Sequence, residues 1–349
     1  AKEVWGRADL IPLWVADMDF GTAPFIVDAI RKRCECEVLG YTGKPDSYYR
    51  AIINWVKQRY DLDVTKEMIN FVPGIVPGIG MAMNSFTRPG DKVMIQPPVY
   101  HPFAWVTTRN ERTLVTNPLK WENGMYRMDL DAFREQVKGC KLFILCNPHN
   151  PGGVVWTEDE LRTVAEICYE EKVLVFSDEI HADLTLPPYK HRPFATISEK
   201  AKMNSVTFMS PSKAFNMPGL AASHAIIFNE DLRARFRKFM DAGELDMGHV
   251  FAFLSVEAAY THGTEWLDQC LAYIQGNIDY VDNFLKTHAP RIKAIRPQAS
   301  YLVWLDCREL GLNQEALNDF FADKAHLALN DGAMFGKEGT GYMRLNLSL

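Results

Sequence analysis

The sequence predicts an α/β protein, a large domain with a mostly parallel central sheet beside a smaller α+β domain. Short apolar runs that end in turn residues alternate with amphipathic stretches of helical period. The chain has 349 residues, more than one ordinary domain needs, and its 47% hydrophobic content can fill substantial cores. Beyond a long helical region, two further apolar runs at 301–305 and 342–347 stand apart as strands of the smaller domain.

The elements follow in order. Residues 91–95 read as a strand that stops at Pro97-Pro98, and 141–146 as another that stops at Asn147-Pro148. A helix over 158–171 has charged and apolar faces, with Thr157 as its cap and Glu160 completing the Thr-x-x-Glu box. Strands are expected at 173–177, 206–209 and 223–228, then a charged stretch at 230–241 and one long helical region over 251–285. In open parallel sheets, ligands bind beyond the carboxyl ends of the strands. Tyr100, Asn150, Asp178 and Lys213 all fall just past such ends, so four distant pieces of chain can meet in one pocket.

Composition excludes several classes. The net charge of −6, with both signs interspersed, offers no basic stripe for a nucleic-acid backbone. No stretch approaches the ~20 apolar residues of a membrane span, and residues 1–10 lack the apolar core of a signal peptide. The first residue is not methionine, so a trimmed start is expected. Seven scattered cysteines do not form a secreted disulfide framework; a reducing cytoplasm and seven structural thiols are expected. Cys34 and Cys36 are too close together for half of a usual zinc site. There is no G-x-G-x-x-G, no H-E-x-x-H, and the glycines of 332–337 miss the Walker spacing, so no metal is expected.

The chemistry concentrates around Ser210-Pro211-Ser212-Lys213-Ala214-Phe215-Asn216, preceded by Ser177-Asp178-Glu179-Ile180-His181 at the end of a strand. A lysine amine forms a Schiff base with an aldehyde, and an aspartate against a pyridine nitrogen keeps that nitrogen protonated; together they read as a pyridoxal 5′-phosphate site. Asn147-Pro148-His149-Asn150-Pro151-Gly152-Gly153 is either a polar turn or the place where Asn150 donates to the phenolic oxygen of the cofactor. His181 is either a loop histidine or a neighbour of that oxygen. Tyr100 is a packing aromatic or a lid on one face of the heterocycle. The turn Pro73-Gly74-Ile75-Val76-Pro77-Gly78 precedes an apolar helix and is either a glycine-proline turn with no ligand or a place where the amides of Ile75 and Val76 receive a phosphate, to which Ser210 can add a hydroxyl. Arg344 lies in an apolar strand and needs a partner, either a local acid or the α-carboxylate of an amino-acid substrate.

In this order, these residues resemble the class I/II aminotransferase superfamily of type I pyridoxal-phosphate fold, over nearly the whole chain. The details look most like the MalY/PatB branch of cystathionine β-lyase-type C-S lyases. Ala16-Asp17-Met18-Asp19-Phe20, Ser177-Asp178-Glu179-Ile180-His181, Ser212-Lys213-Ala214-Phe215-Asn216 and Arg344-Leu345-Asn346 are similar to its motifs. Two positions depart from the common aminotransferase pattern. Ala221 stands where many members have a phosphate-gripping arginine, and His181 where they have tyrosine. Both departures are typical of the lyase-like branch.

The resemblance implies a large domain over 28–278 and a small one made of 1–27 and 279–349. It adds Ser212 to the cofactor site, Asp19 to the substrate site with Trp14 and residues 17–20 bordering it, and Tyr41 as a phosphate contact across a homodimer with shared active sites. It also implies that the chain is trimmed at both ends. The expected reaction is loss of a β-thiolate after Lys213 removes the α-proton, giving thiol, pyruvate and ammonia from cystathionine or a related substrate. An aminotransferase would use the same residues. A regulatory protein with vestigial lyase activity is the alternative from another class.

Overall fold

The computed structural model describes residues 2–349, so Ala1, the first residue of the expected small domain, lies outside the described residues. Seven strands form the central sheet: β1 (Ile69–Val72), β2 (Lys92–Ile95), β3 (Thr113–Thr116), β4 (Cys140–Cys146), β5 (Leu174–Asp178), β6 (Ser205–Met209) and β7 (Ser223–Ile226). Their spatial order is β1-β7-β6-β5-β4-β2-β3. Every neighbouring pair from β6 to β3 is parallel, while β7 is antiparallel to both of its neighbours.

The apolar runs exist because the sheet is covered on both faces. Along β4, Leu142 and Ile144 join the layer that holds the Ile75–Phe86 helix, whereas Phe143 and Leu145 join the layer that holds the Glu158–Glu170 helix. The Thr157 hydroxyl accepts from the Glu160 amide and the Glu160 carboxylate accepts from the Thr157 amide, the reciprocal box expected from sequence. The edge strands β1 and β3 were absent from the sequence reading. Thr113–Thr116 is only four residues long and half exposed, so it lacks the apolar run that marks its neighbours.

A second sheet of four antiparallel strands holds β8 (Lys293–Ile295), β9 (Leu302–Asp306), β10 (Asn330–Asp331) and β11 (Tyr342–Asn346), in the order β8-β9-β11-β10. The 25-residue helix Thr264–His288 runs through position 278 without interruption. The single helical region expected over 251–285 is two helices, Val250–His262 and Thr264–His288. Gly263 separates them, and a methyl group there would run into the Ala259 carbonyl oxygen and the Phe215 ring. Among the described residues no helix is long and apolar enough to cross a membrane. All seven cysteines are free; five are buried, but Cys34 and Cys36 are exposed and so pack no core, which corrects the expectation of seven structural thiols.

Gly263→Ala is expected to lower folding stability by about 1–3 kcal/mol, the usual cost of overpacking. The check is a lower urea midpoint with an unchanged slope.

Candidate active site

A cavity of about 220 Å³ opens at the carboxyl edge of the central sheet. Its walls come from Ala16, from the turn after β1, and from the segments after β2, β4, β5 and β6. Tyr100, Asn150, Asp178, His181, Ser212 and Lys213 all line it.

The Ile75–Phe86 helix begins at this cavity. Gly74 precedes it with φ +143°, a backbone conformation that favours glycine, and no side chain caps the helix. The first helical bond is Gly78 N–H to the Gly74 carbonyl, and Pro77 has no N–H, so the amides of Ile75 and Val76 are free to receive an anion. Both residues line the cavity. Ser212 presents its hydroxyl nearby.

Ser210 does not reach the wall. Its hydroxyl donates to the Ala222 carbonyl at 2.7 Å and accepts from the Ser212 amide at 3.1 Å, so it braces the lysine loop from behind. Asp19 is also misplaced by the sequence reading. Its side chain points to solvent while its amide donates to the Ser348 carbonyl at 2.9 Å. Trp14 packs edge-on against Trp5 and none of residues 17–20 lines the cavity; from that segment only Ala16 does. Tyr41 is 98% exposed in an irregular stretch and touches no part of the cavity of its own chain. Sequence reasoning missed Ala16, Cys146 and Ser223 as wall residues. Ser223 begins a strand, and its position opposite the Ile75 turn is visible only once β7 pairs with β1.

Burial governs the electrostatics. The Asp178 carboxyl is raised to about 7 by burial, with the Ile180 amide and the Lys213 charge acting in the opposite sense. The Lys213 amine is lowered to about 8 by burial and then by Arg344. His181 is lowered to about 3, again chiefly by burial, so its ring is neutral, and its Nδ1 has no partner among the described residues. Asn150 accepts from Arg344 Nη1 at 3.3 Å through Oδ1, which leaves Nδ2 to donate into the cavity. Arg344 is only 4% exposed, yet no acid pairs with it among the described residues. Its Nη2 reaches the Trp14 carbonyl and Asn330 Oδ1, its plane lies over the Phe335 ring, and Nε is left without a partner. The local-acid reading of Arg344 therefore fails. Arg344 is not itself part of the cavity wall but bonds Asn150, which is, and it keeps one buried N–H without a partner.

A helix start with free amides, a carboxyl group and a desolvated amine in one cavity, and an acid-free guanidinium beside it are the features of a protein that takes a phosphorylated cofactor. The chain belongs to the aminotransferase class I and II family, whose profile matches residues 8–349. Cystathionine β-lyase PatB of Bacillus subtilis (strain 168) is 40% identical over 346 residues, covering 99% of this chain and 89% of the relative. A PLP-bound crystal structure from Clostridium difficile 630 superposes with a TM-score of 0.97 at 40% identity, covering 99% and 90% of the two chains. The PLP-bound C-S lyase from Staphylococcus hominis superposes at 0.92 with 34% identity, covering 100% and 90%. The free amides, the unpaired Arg344 Nε, and Asp178 and Lys213 in one cavity wall fit such a cofactor.

The Lys213 amine should react with a small aldehyde at a rate that rises with pH through about 8 and levels off above it, because only the neutral amine attacks. Exposed lysines should keep rising past about pH 10. Reductive alkylation across a pH series, read by peptide mass mapping, measures both.

Proposed function

We propose that this protein is a pyridoxal 5′-phosphate-dependent carbon–sulfur β-lyase that cleaves cystathionine or a related cysteine S-conjugate to a thiol, pyruvate and ammonia. One observation carries the reading: Lys213 and Asp178 line one cavity whose neighbour, Arg344, has no acid partner among the described residues. The 40% identity to a relative named cystathionine β-lyase supports the reaction type.

When bound, the cofactor supplies an aldehyde that captures the substrate amine and a ring that accepts the electron pair left at Cα. The amides of Ile75 and Val76 and the Ser212 hydroxyl hold its phosphate. Ala221 lines the wall without adding a cation, so the anion rests on backbone dipoles and hydroxyls. Tyr100 would cover one face of the ring, worth about 0.5–1.5 kcal/mol beyond area burial. Asp178 would hold the pyridine nitrogen, whose proton would favour the ionised carboxylate that burial alone opposes. Asn150 Nδ2, free of any other acceptor, would donate to the phenolic oxygen, and neutral His181 would add to that part of the wall.

Arg344 grips the substrate α-carboxylate and fixes which Cα bond faces the lysine. Lys213 Nζ then takes the Cα proton, a contribution of roughly 10² to 10⁴ in rate for a placed base. Its depressed proton affinity leaves a useful neutral fraction near pH 7. The electron pair released at Cα expels the β-sulfur as a thiolate, and hydrolysis of the remaining three-carbon fragment gives pyruvate and ammonia.

Exposed Val38, Leu39 and Tyr41 form an apolar surface next to a helix, which supports a homodimer in which Tyr41 reaches the phosphate of the neighbouring subunit. We place the large domain at 28–278 and the small one at 1–27 with 279–349, linked by the Thr264–His288 helix. Free thiols throughout fit a cytoplasmic setting.

Lys213→Ala should abolish both turnover and the yellow cofactor absorbance; retention of both would remove the assignment. Arg344→Lys should raise KM for cystathionine more than tenfold with a smaller loss in kcat, because a point charge replaces a two-pronged grip. Wild-type enzyme should release pyruvate and thiol without an added oxo acid, and strict oxo-acid dependence would point to transamination instead.

A further inference from the structure

The segment from Leu13 to Met18 passes from the four-stranded sheet to the lysine loop, and side chains from distant parts of the chain hold its carbonyl groups. The Trp14 carbonyl accepts from Arg344 Nη2 at 3.0 Å, those of Val15 and Asp17 both accept from Asn346 Nδ2 at 2.7 Å, and that of Met18 accepts from Asn216 Nδ2 at 2.9 Å. Ala16 is the member that lines the cavity. Its carbonyl takes two donors, the Tyr301 hydroxyl at 3.0 Å and Lys213 Nζ. Tyr301 is fully buried, its hydroxyl donates only there, and burial raises its proton affinity, so it stays a neutral donor.

These two donors differ in one respect. If Lys213 acts as proposed above, its nitrogen is bonded to carbon for part of every cycle and is then withdrawn from the Ala16 carbonyl. A buried carbonyl left without a donor is unfavourable, and the segment would shift to find another. Tyr301 supplies a donor that never leaves. We infer that Tyr301 is a positioning residue for Lys213: through the Ala16 carbonyl it maintains a fixed dock for the free amine, and it keeps segment 13–18 in place while the amine is engaged elsewhere.

Tyr301→Phe keeps the ring and removes only the hydroxyl. The amides of Met18 and Asp19, which donate to Asn216 Oδ1 at 3.0 Å and to the Ser348 carbonyl at 2.9 Å, report on the segment through hydrogen exchange. Exchange is measured on wild type and variant, each before and after addition of pyridoxal phosphate, with matching circular dichroism as the folding control. The expected result is slow exchange in three samples and at least tenfold faster exchange in the loaded variant alone. Equal exchange in the two loaded proteins overturns the inference. Fast exchange in the unloaded variant overturns it too, since the hydroxyl would then be a general brace and not a substitute for the amine. Borohydride reduction of the loaded samples, followed by peptide mapping, separates the two levels of the argument. An adduct on Lys213 with equal exchange defeats this inference alone, whereas an adduct elsewhere, or none, defeats the reading of Lys213 and this inference with it.

Discussion

Removing charge from water is the constraint on which this site depends. Three ionisable groups share one desolvated region, and burial acts against the charged form of each: the Lys213 amine is pushed down to about 8, the Arg344 guanidinium down to about 10, and the Asp178 carboxyl up to about 7. Their arrangement does not cancel. Among the described residues Arg344 has no acid partner, and the charge of Asp178 is favoured only by the Ile180 amide and by Lys213. A ligand that brought a carboxylate to one end and a cation to the other, as proposed above, would complete such a region, and burial would strengthen both contacts.

The rest of the architecture serves that placement. Parallel strands buried on both faces leave their carboxyl ends as the place where polar loops can converge, and five such ends meet here. The chain's early and late parts also come together at the same point. Arg344 on β11 donates through Nη2 to the Trp14 carbonyl, which positions both groups, and Asn346 pins the two residues that flank Ala16. Arg344 and Lys213 thereby both hold on to one six-residue stretch, 13–18, which bends at residues 15–17.

The departures from the common family pattern have a consistent physical sense. With alanine at 221, no arginine crowds the phosphate end, and the anion depends on helix amides whose partial charge falls off within one turn. With histidine at 181, the side chain in the cavity wall is an imidazole that burial keeps neutral. Only the first change removes a positive charge from the site; the second replaces one neutral side chain by another.

Much of this was legible from order alone. Runs such as 142–146 cannot be exposed, their spacing dictates a parallel sheet, and Asn150 and Lys213 follow strand ends while Asp178 closes one, so their convergence was readable from the sequence. The amides of Ile75 and Val76 were readable for the same reason, because a glycine-proline turn before an apolar helix leaves N–H groups unpaired. Residues whose roles depend on direction were not. Ser210 and Ser212 are two apart in one loop, yet only the packing of β6 against β7 decides which hydroxyl faces the cavity and which turns to the Ala222 carbonyl. Asp19 looked suited to a substrate and faces solvent, while Ala16, with no functional group in its side chain, meets Lys213 through its backbone. Sequence determines which chemistry the chain carries, because residue type and strand order are local properties; tertiary structure alone decided which of those groups share the buried cavity, because that depends on side-chain direction and on contacts between residues some two hundred positions apart.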